Sequence, residues 1–90
     1  MFNFNFPKIH CIGVLDQSMK VIEEANEAEV EAHRYVFYKN NREKLIDELL
    51  DVIQACETFL RYICQDDKEL QRCYERNINK NRSRKYFSKE

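Results

Sequence analysis

Residues 45–63 read LIDELLDVIQACETFLRYI. Leu45, Leu49, Val52, Ile53, Cys56, Phe59, Leu60 and Ile63 return every three or four positions, the period of an α-helix with one buried side. The apolar face is wider than a single neighbouring helix of this chain can cover, which calls for a partner chain. Acids stand among these residues: Glu48 and Asp51 sit beside Leu49, Leu50, Val52 and Ile53, at the margin of the apolar face rather than on an all-polar side.

Upstream, Lys39-Asn40-Asn41 is a polar break, and Asn40 or Asn41 is placed to cap the helix that starts near Arg42. Before the break, Leu15, Met19, Ile22, Ala25/Ala28 and Ala32 recur at helical spacing. They predict a first helix from about Leu15 to Tyr38, with Asp16 at its cap or first turn. Residues 1–13 alternate Phe2, Phe4 and Phe6 with Asn3 and Asn5, which reads as an arm packed on the body and ended by Gly13. Downstream, Gln65-Asp66-Asp67 breaks the pattern and offers Asp66 or Asp67 as a cap. Leu70, Cys73, Tyr74 and Ile78 then predict a shorter third helix, and residues 79–90 read as a polar, basic tail. The 90 residues contain one Gly and one Pro, too few for the tight turns of a sheet protein. The expected fold is all-α: one domain over 1–90, with two long antiparallel helices and a shorter third. A second copy completes the bundle, giving a homodimer or homotetramer.

A formal charge of −1 hides an asymmetry. Glu23, Glu24, Glu27, Glu29 and Glu31 crowd the first helix, whereas Arg76, Lys80, Arg82, Arg84, Lys85 and Lys89 crowd the end of the chain. One region suits cations and the other suits phosphates. Cys11, Cys56, Cys64 and Cys73 lack the spacing of a zinc site or an evident disulfide framework, so they read as reduced, mostly buried thiols. With no secretory signal pattern and no apolar membrane span, a cytoplasmic location is expected, without a membrane partner.

Glu24 and Glu27 on the first helix, like Glu48 and Asp51 on the second, are three residues apart and point within roughly 60° of one another. Antiparallel packing lets all four converge. Uncompensated, they repel, and a divalent cation removes that cost. Oxygen ligands without a nearby Cys or His pair are hard-cation chemistry, so Mg²⁺ is favoured and Mn²⁺ can replace it. The bland alternative is a set of solvated pairs, Lys20 with Glu24 and Lys44 with Glu48.

The order Glu23-Glu24-Ala25-Asn26-Glu27, then Glu48-Leu49-Leu50-Asp51, resembles the signature of the MazG-like all-α nucleotide pyrophosphohydrolases, relatives of the dimeric dUTPases. Gln17 and Lys20 stand where that family often has Q-x-x-K, and Asp47 to Ala55 is similar to its D-E-L-x-D-V-I-Q-A segment. The run from Lys80 to Phe87 resembles the K-N-x-x-R-G-Y ending of small members, with Lys85 in place of the usual Gly. The resemblance implies a Mg²⁺-dependent enzyme that cleaves a nucleoside triphosphate into monophosphate and pyrophosphate. It implies Glu24, Glu27, Glu48 and Asp51 as metal ligands and Glu23 as an assisting acid. Lys80, Asn81 and Arg84, with Gln17 and Lys20, would be substrate contacts.

His33 has no Cys or His at ligand spacing and reads as a surface or interface residue, as does His10 in the arm. Two other classes of function compete. A non-catalytic helical interaction or regulatory module would use the apolar faces alone, and a nucleic-acid binder would use the basic tail. The near-zero net charge and the acidic first helix weigh against a nucleic-acid polymer as partner.

Overall fold

The computed structural model describes residues 13–85 and 87. The arm residues 1–12 and the tail residues Tyr86 and Ser88 to Glu90 lie outside that set. Among the described residues there are three helices and no strand: α1 Val14–Tyr38, α2 Arg42–Ile63 and α3 Asp67–Ser83. The all-helical expectation therefore holds.

Each boundary has a local cause. The first turn of α1 closes when the Gln17 N–H donates to the Gly13 carbonyl at 2.9 Å. Asp16 lies in that turn and makes no side-chain cap. At the other end Lys39 takes a left-handed conformation, φ 56°, and its N–H donates to the Tyr35 carbonyl at 3.1 Å. Asn41 occupies the N-cap position of α2 without capping it. Its Nδ2 instead donates to the Glu31 carbonyl at 2.9 Å and to Glu31 Oε1 at 2.8 Å, tying the turn to α1. Asp66 does cap α3, accepting from the Glu69 N–H at 2.8 Å.

The third helix runs five residues past Ile78 into the stretch expected to be tail. Side chains one turn apart sustain it: Asn81 Nδ2 donates to Asn77 Oδ1, and Arg82 to Asn79 Oδ1, both at 3.1 Å. Lys80 and Arg82 also suit the negative end of the helix dipole.

α1 and α2 pack antiparallel along their length, whereas α3 leans on α2 and makes no close backbone approach to α1 among the described residues. The start of α3 is tied to α2 by Arg61, which reaches Glu57 Oε1 at 3.0 Å and Asp67 Oδ1 at 2.8 Å.

The buried face of α1 is only in part the apolar stripe that its spacing singles out: Ala28 is buried and Ala32 half-buried. Gln17, Glu24, Ala28 and Glu31 face α2, while Leu15 and Ile22 are 71% and 60% exposed and Met19 is exposed as well. On α2, Ile46, Leu49 and Leu50 are exposed too. Ala28, Ala55 and Leu70 are the buried apolar residues, and no large side chain is fully buried among the described residues. The surface is 7470 Å², against about 5,600 Å² for a compact monomer of this mass. The radius of gyration, 15.2 Å, likewise exceeds the roughly 12 Å of a compact chain of this length. No helix among the described residues is long and apolar enough to cross a membrane.

Candidate metal centre

Midway along the hairpin, Glu24 and Glu27 of α1 meet Glu48 of α2. One carboxylate oxygen from each lies within 4.8 Å of the others. Glu24 is buried, Glu48 half-buried and Glu27 exposed, so the cluster opens to solvent along one edge. Glu24 Oε2 and Glu48 Oε2 are buried and have no hydrogen-bond partner. A buried carboxylate oxygen without a donor is costly, and two beside a third acid are costlier still. The crowding bears on Glu27: the charge of Glu24, then some desolvation and the charge and hydrogen bond of Glu48, raise its pKa above the usual carboxylate range.

Lys20 supplies partial compensation, its Nζ lying 2.8 Å from Glu24 Oε1 and 4.0 Å from Glu23 Oε1. The hydrogen bond and charge of Glu24, then Glu23 and Glu27, raise the Lys20 pKa above its ordinary value. Half of the solvated-pair alternative is thus present. The other lysine goes elsewhere: Lys44 Nζ reaches across to Glu31 Oε2 at 3.5 Å.

Asp51 is not in the three-acid group. It lines an adjoining cleft of about 320 Å³ with Gln17, Lys20, Glu24, Gln54, Ala55 and Thr58. Glu24 is the shared wall between cluster and cleft. Gln17, buried, donates from Nε2 to the Ala55 carbonyl at 3.1 Å and holds the helices together on the cleft side. Glu23 is exposed and touches the site through Lys20.

The basic residues expected to contact phosphate are not gathered here. Lys80 lines a different crevice, about 590 Å³, with Leu60, Leu70, Cys73, Tyr74, Arg76 and Asn77. Asn81 is bonded to Asn77, and Arg84 follows the end of α3, its N–H donating to the Lys80 carbonyl at 3.2 Å. His33 is exposed.

Glu31 stands in the sequence only as one of the acids crowding the first helix, and its role as a tie is not singled out there. It lies two turns beyond Glu24 on the same face, buried, and holds Asn41, Lys44 and Arg34, the last at 3.1 Å. The Asn41 hydrogen bond, followed by the Lys44 and Arg34 charges, outweighs burial and lowers its pKa. Gln54 and Thr58 were missed as cleft residues as well, although they follow Asp51 at helical spacing.

The donor set fits a hard divalent cation: carboxylate oxygens only, two of them buried without donors, on two helices held in register by polar ties. The chain matches no protein-family model, no curated protein and no solved structure.

Proposed function

We propose that this protein is a Mg²⁺-dependent nucleoside triphosphate pyrophosphohydrolase of the MazG-like kind, Mn²⁺ substituting, that releases a nucleoside monophosphate and pyrophosphate. The observation that carries it is the pair of donorless buried oxygens on Glu24 and Glu48, in a group with Glu27. Buried carboxylate oxygens without donors are costly, and a divalent cation would relieve that cost. A bound divalent cation supplies charge for the phosphate oxygens and a lowered pKa for its water.

The chain's own residues divide the remaining work. Glu24, Glu27 and Glu48 hold the ion, and Asp51 completes the ligand set from the cleft side. Glu23, exposed at the rim, orients the attacking water. Gln17 and Lys20 line the cleft where a phosphate chain meets the acids. Lys80, Asn81 and Arg84 stand apart from the acids within one chain, so their phosphate-binding role is reserved for the α3 of a second copy.

A second copy is part of the same proposal. The large apolar side chains left exposed on both long helices, Leu15, Ile22, Leu49 and Leu50 among them, are what it would cover. A cytoplasmic setting keeps Cys56, Cys64 and Cys73 free, as they stand here.

The test is a panel of NTPs and dNTPs with Mg²⁺, read for monophosphate and pyrophosphate. Glu48→Gln removes one ligand charge and is expected to lower turnover by about two orders of magnitude or more, while helicity by circular dichroism is unchanged. Release of orthophosphate alone, or turnover that survives Glu48→Gln intact, rejects the proposal. A protein with no turnover and no shift in melting temperature on adding Mg²⁺ is instead a non-catalytic helical module.

A further inference from the structure

Lys20 sits at an awkward place for a cation site. Its ammonium is 2.8 Å from Glu24 Oε1, and Glu24 is both the most buried acid of the cluster and the wall shared with the cleft. Yet the ammonium satisfies only one Glu24 oxygen, because Oε2 remains without a donor. A divalent ion on the cluster would lie within a few ångströms of that ammonium, and like charges so close repel strongly where water is partly excluded. Lys20 has the means to leave. It is about half exposed, and lysine is a point charge on a flexible four-carbon stem with freely rotating donors. The neighbouring volume is open, and Gln17, Asp51, Gln54 and Thr58 place polar groups in its mixed lining.

We propose that Lys20 is an exchangeable counter-ion: it neutralises Glu24 while no divalent cation is bound, and swings into the cleft to pair with a ligand phosphate once a cation takes Glu24. This rests on the acid cluster being a cation site, and it adds a regulatory consequence. Without a polyphosphate, Lys20 competes with the cation for Glu24. With one, the displaced ammonium gains a new anionic partner, so cation and polyphosphate each favour the other's binding, reciprocally. A plain surface pair one helical turn apart predicts neither effect.

The test compares wild type, Lys20→Met and Lys20→Arg. Mn²⁺ binding without any phosphate is followed by electron paramagnetic resonance of the free ion, and binding of Mg²⁺-tripolyphosphate to Mg²⁺-saturated protein by calorimetry. Lys20→Met is expected to bind Mn²⁺ about three- to tenfold more tightly than wild type and Mg²⁺-tripolyphosphate about tenfold more weakly. Lys20→Arg should stay near wild type in both. Because Lys20 is half exposed, the fold should survive, and circular dichroism checks it. Mn²⁺ affinity that is equal or weaker in Lys20→Met, or unchanged tripolyphosphate binding, overturns the exchange while leaving the cation site standing. A wild-type protein that binds no Mn²⁺ removes the site itself and the exchange with it.

Discussion

Under the proposed pairing of two copies, replacing Ile22 and Leu49 together with aspartate should dissociate the assembly. Ile22 and Leu49 are large apolar residues, 60% and 46% exposed. Complete burial of such a side chain stabilises by about 1.5–3 kcal/mol, so covering what is now exposed contributes on the order of 1–2 kcal/mol each. A two-fold interface uses each residue twice, giving roughly 4–8 kcal/mol per pair of chains. At 1.4 kcal/mol per decade that is about three to six decades in the dissociation constant. The aspartate charge, carried into an apolar contact, adds to the loss. Sedimentation velocity at micromolar concentrations is the assay: wild type should run at twice its chain mass or a multiple, and the double variant at the mass of one chain. The variant should also melt at a concentration-independent temperature, unlike wild type. A wild-type protein that is monomeric throughout this range would refute the reasoning, as would a variant of undiminished mass.

Other expectations concern the ties that hold the helices. Glu31, its carboxyl held below the usual range chiefly by Asn41, stabilises the fold above the ordinary carboxylate value, and that stabilisation is lost as pH falls through the lowered value. Glu31→Gln should therefore melt lower at neutral pH and show a shallower decline on acidification; parallel melting curves for the two proteins would contradict this. Leu70→Ala empties the one large buried apolar contact of α3 and should cost about 2–3 kcal/mol in chemical denaturation, at the low end for leucine because α3 is thinly packed. A cost below roughly half a kcal/mol would mean that α3 does not rest on that contact.

Helices were easy to read from the chain because their signals are local. Periodicity, the Lys39 to Asn41 break and the Asp66 cap all act within a few residues, and the structure places the helices where those signals fall. Which side of α1 meets α2 was not readable. The period groups Leu15, Met19 and Ile22 on one face but does not say what that face packs against, and within one chain the inward face carries Gln17, Glu24 and Glu31. The end of α3 was missed because its last turn is held by polar side chains, Asn77 with Asn81 and Asn79 with Arg82, rather than by an apolar stripe. Of the four expected ligands, Glu24, Glu27 and Glu48 come together. Asp51 lines the adjoining cleft instead, so the three-residue spacing that brings Glu24 and Glu27 together does not by itself bring Asp51 to Glu48. The basic residues of α3 could not be placed from sequence, because their distance from the acids depends on how α3 leaves α2.

Two tethers bracket the acids along the hairpin: the Gln17 amide on the Ala55 carbonyl toward one end, and the Glu31 clamp on Asn41 and Lys44 at the turn. Glu24 is seven residues from each, about 10 Å along the helix. The pair of helices is thus a bridge pinned at both abutments with its acids at mid-span, where slackening one pin opens the gap less than it does at that pin. Such a span can tolerate fraying at its ends and still keep the width that an ion requires.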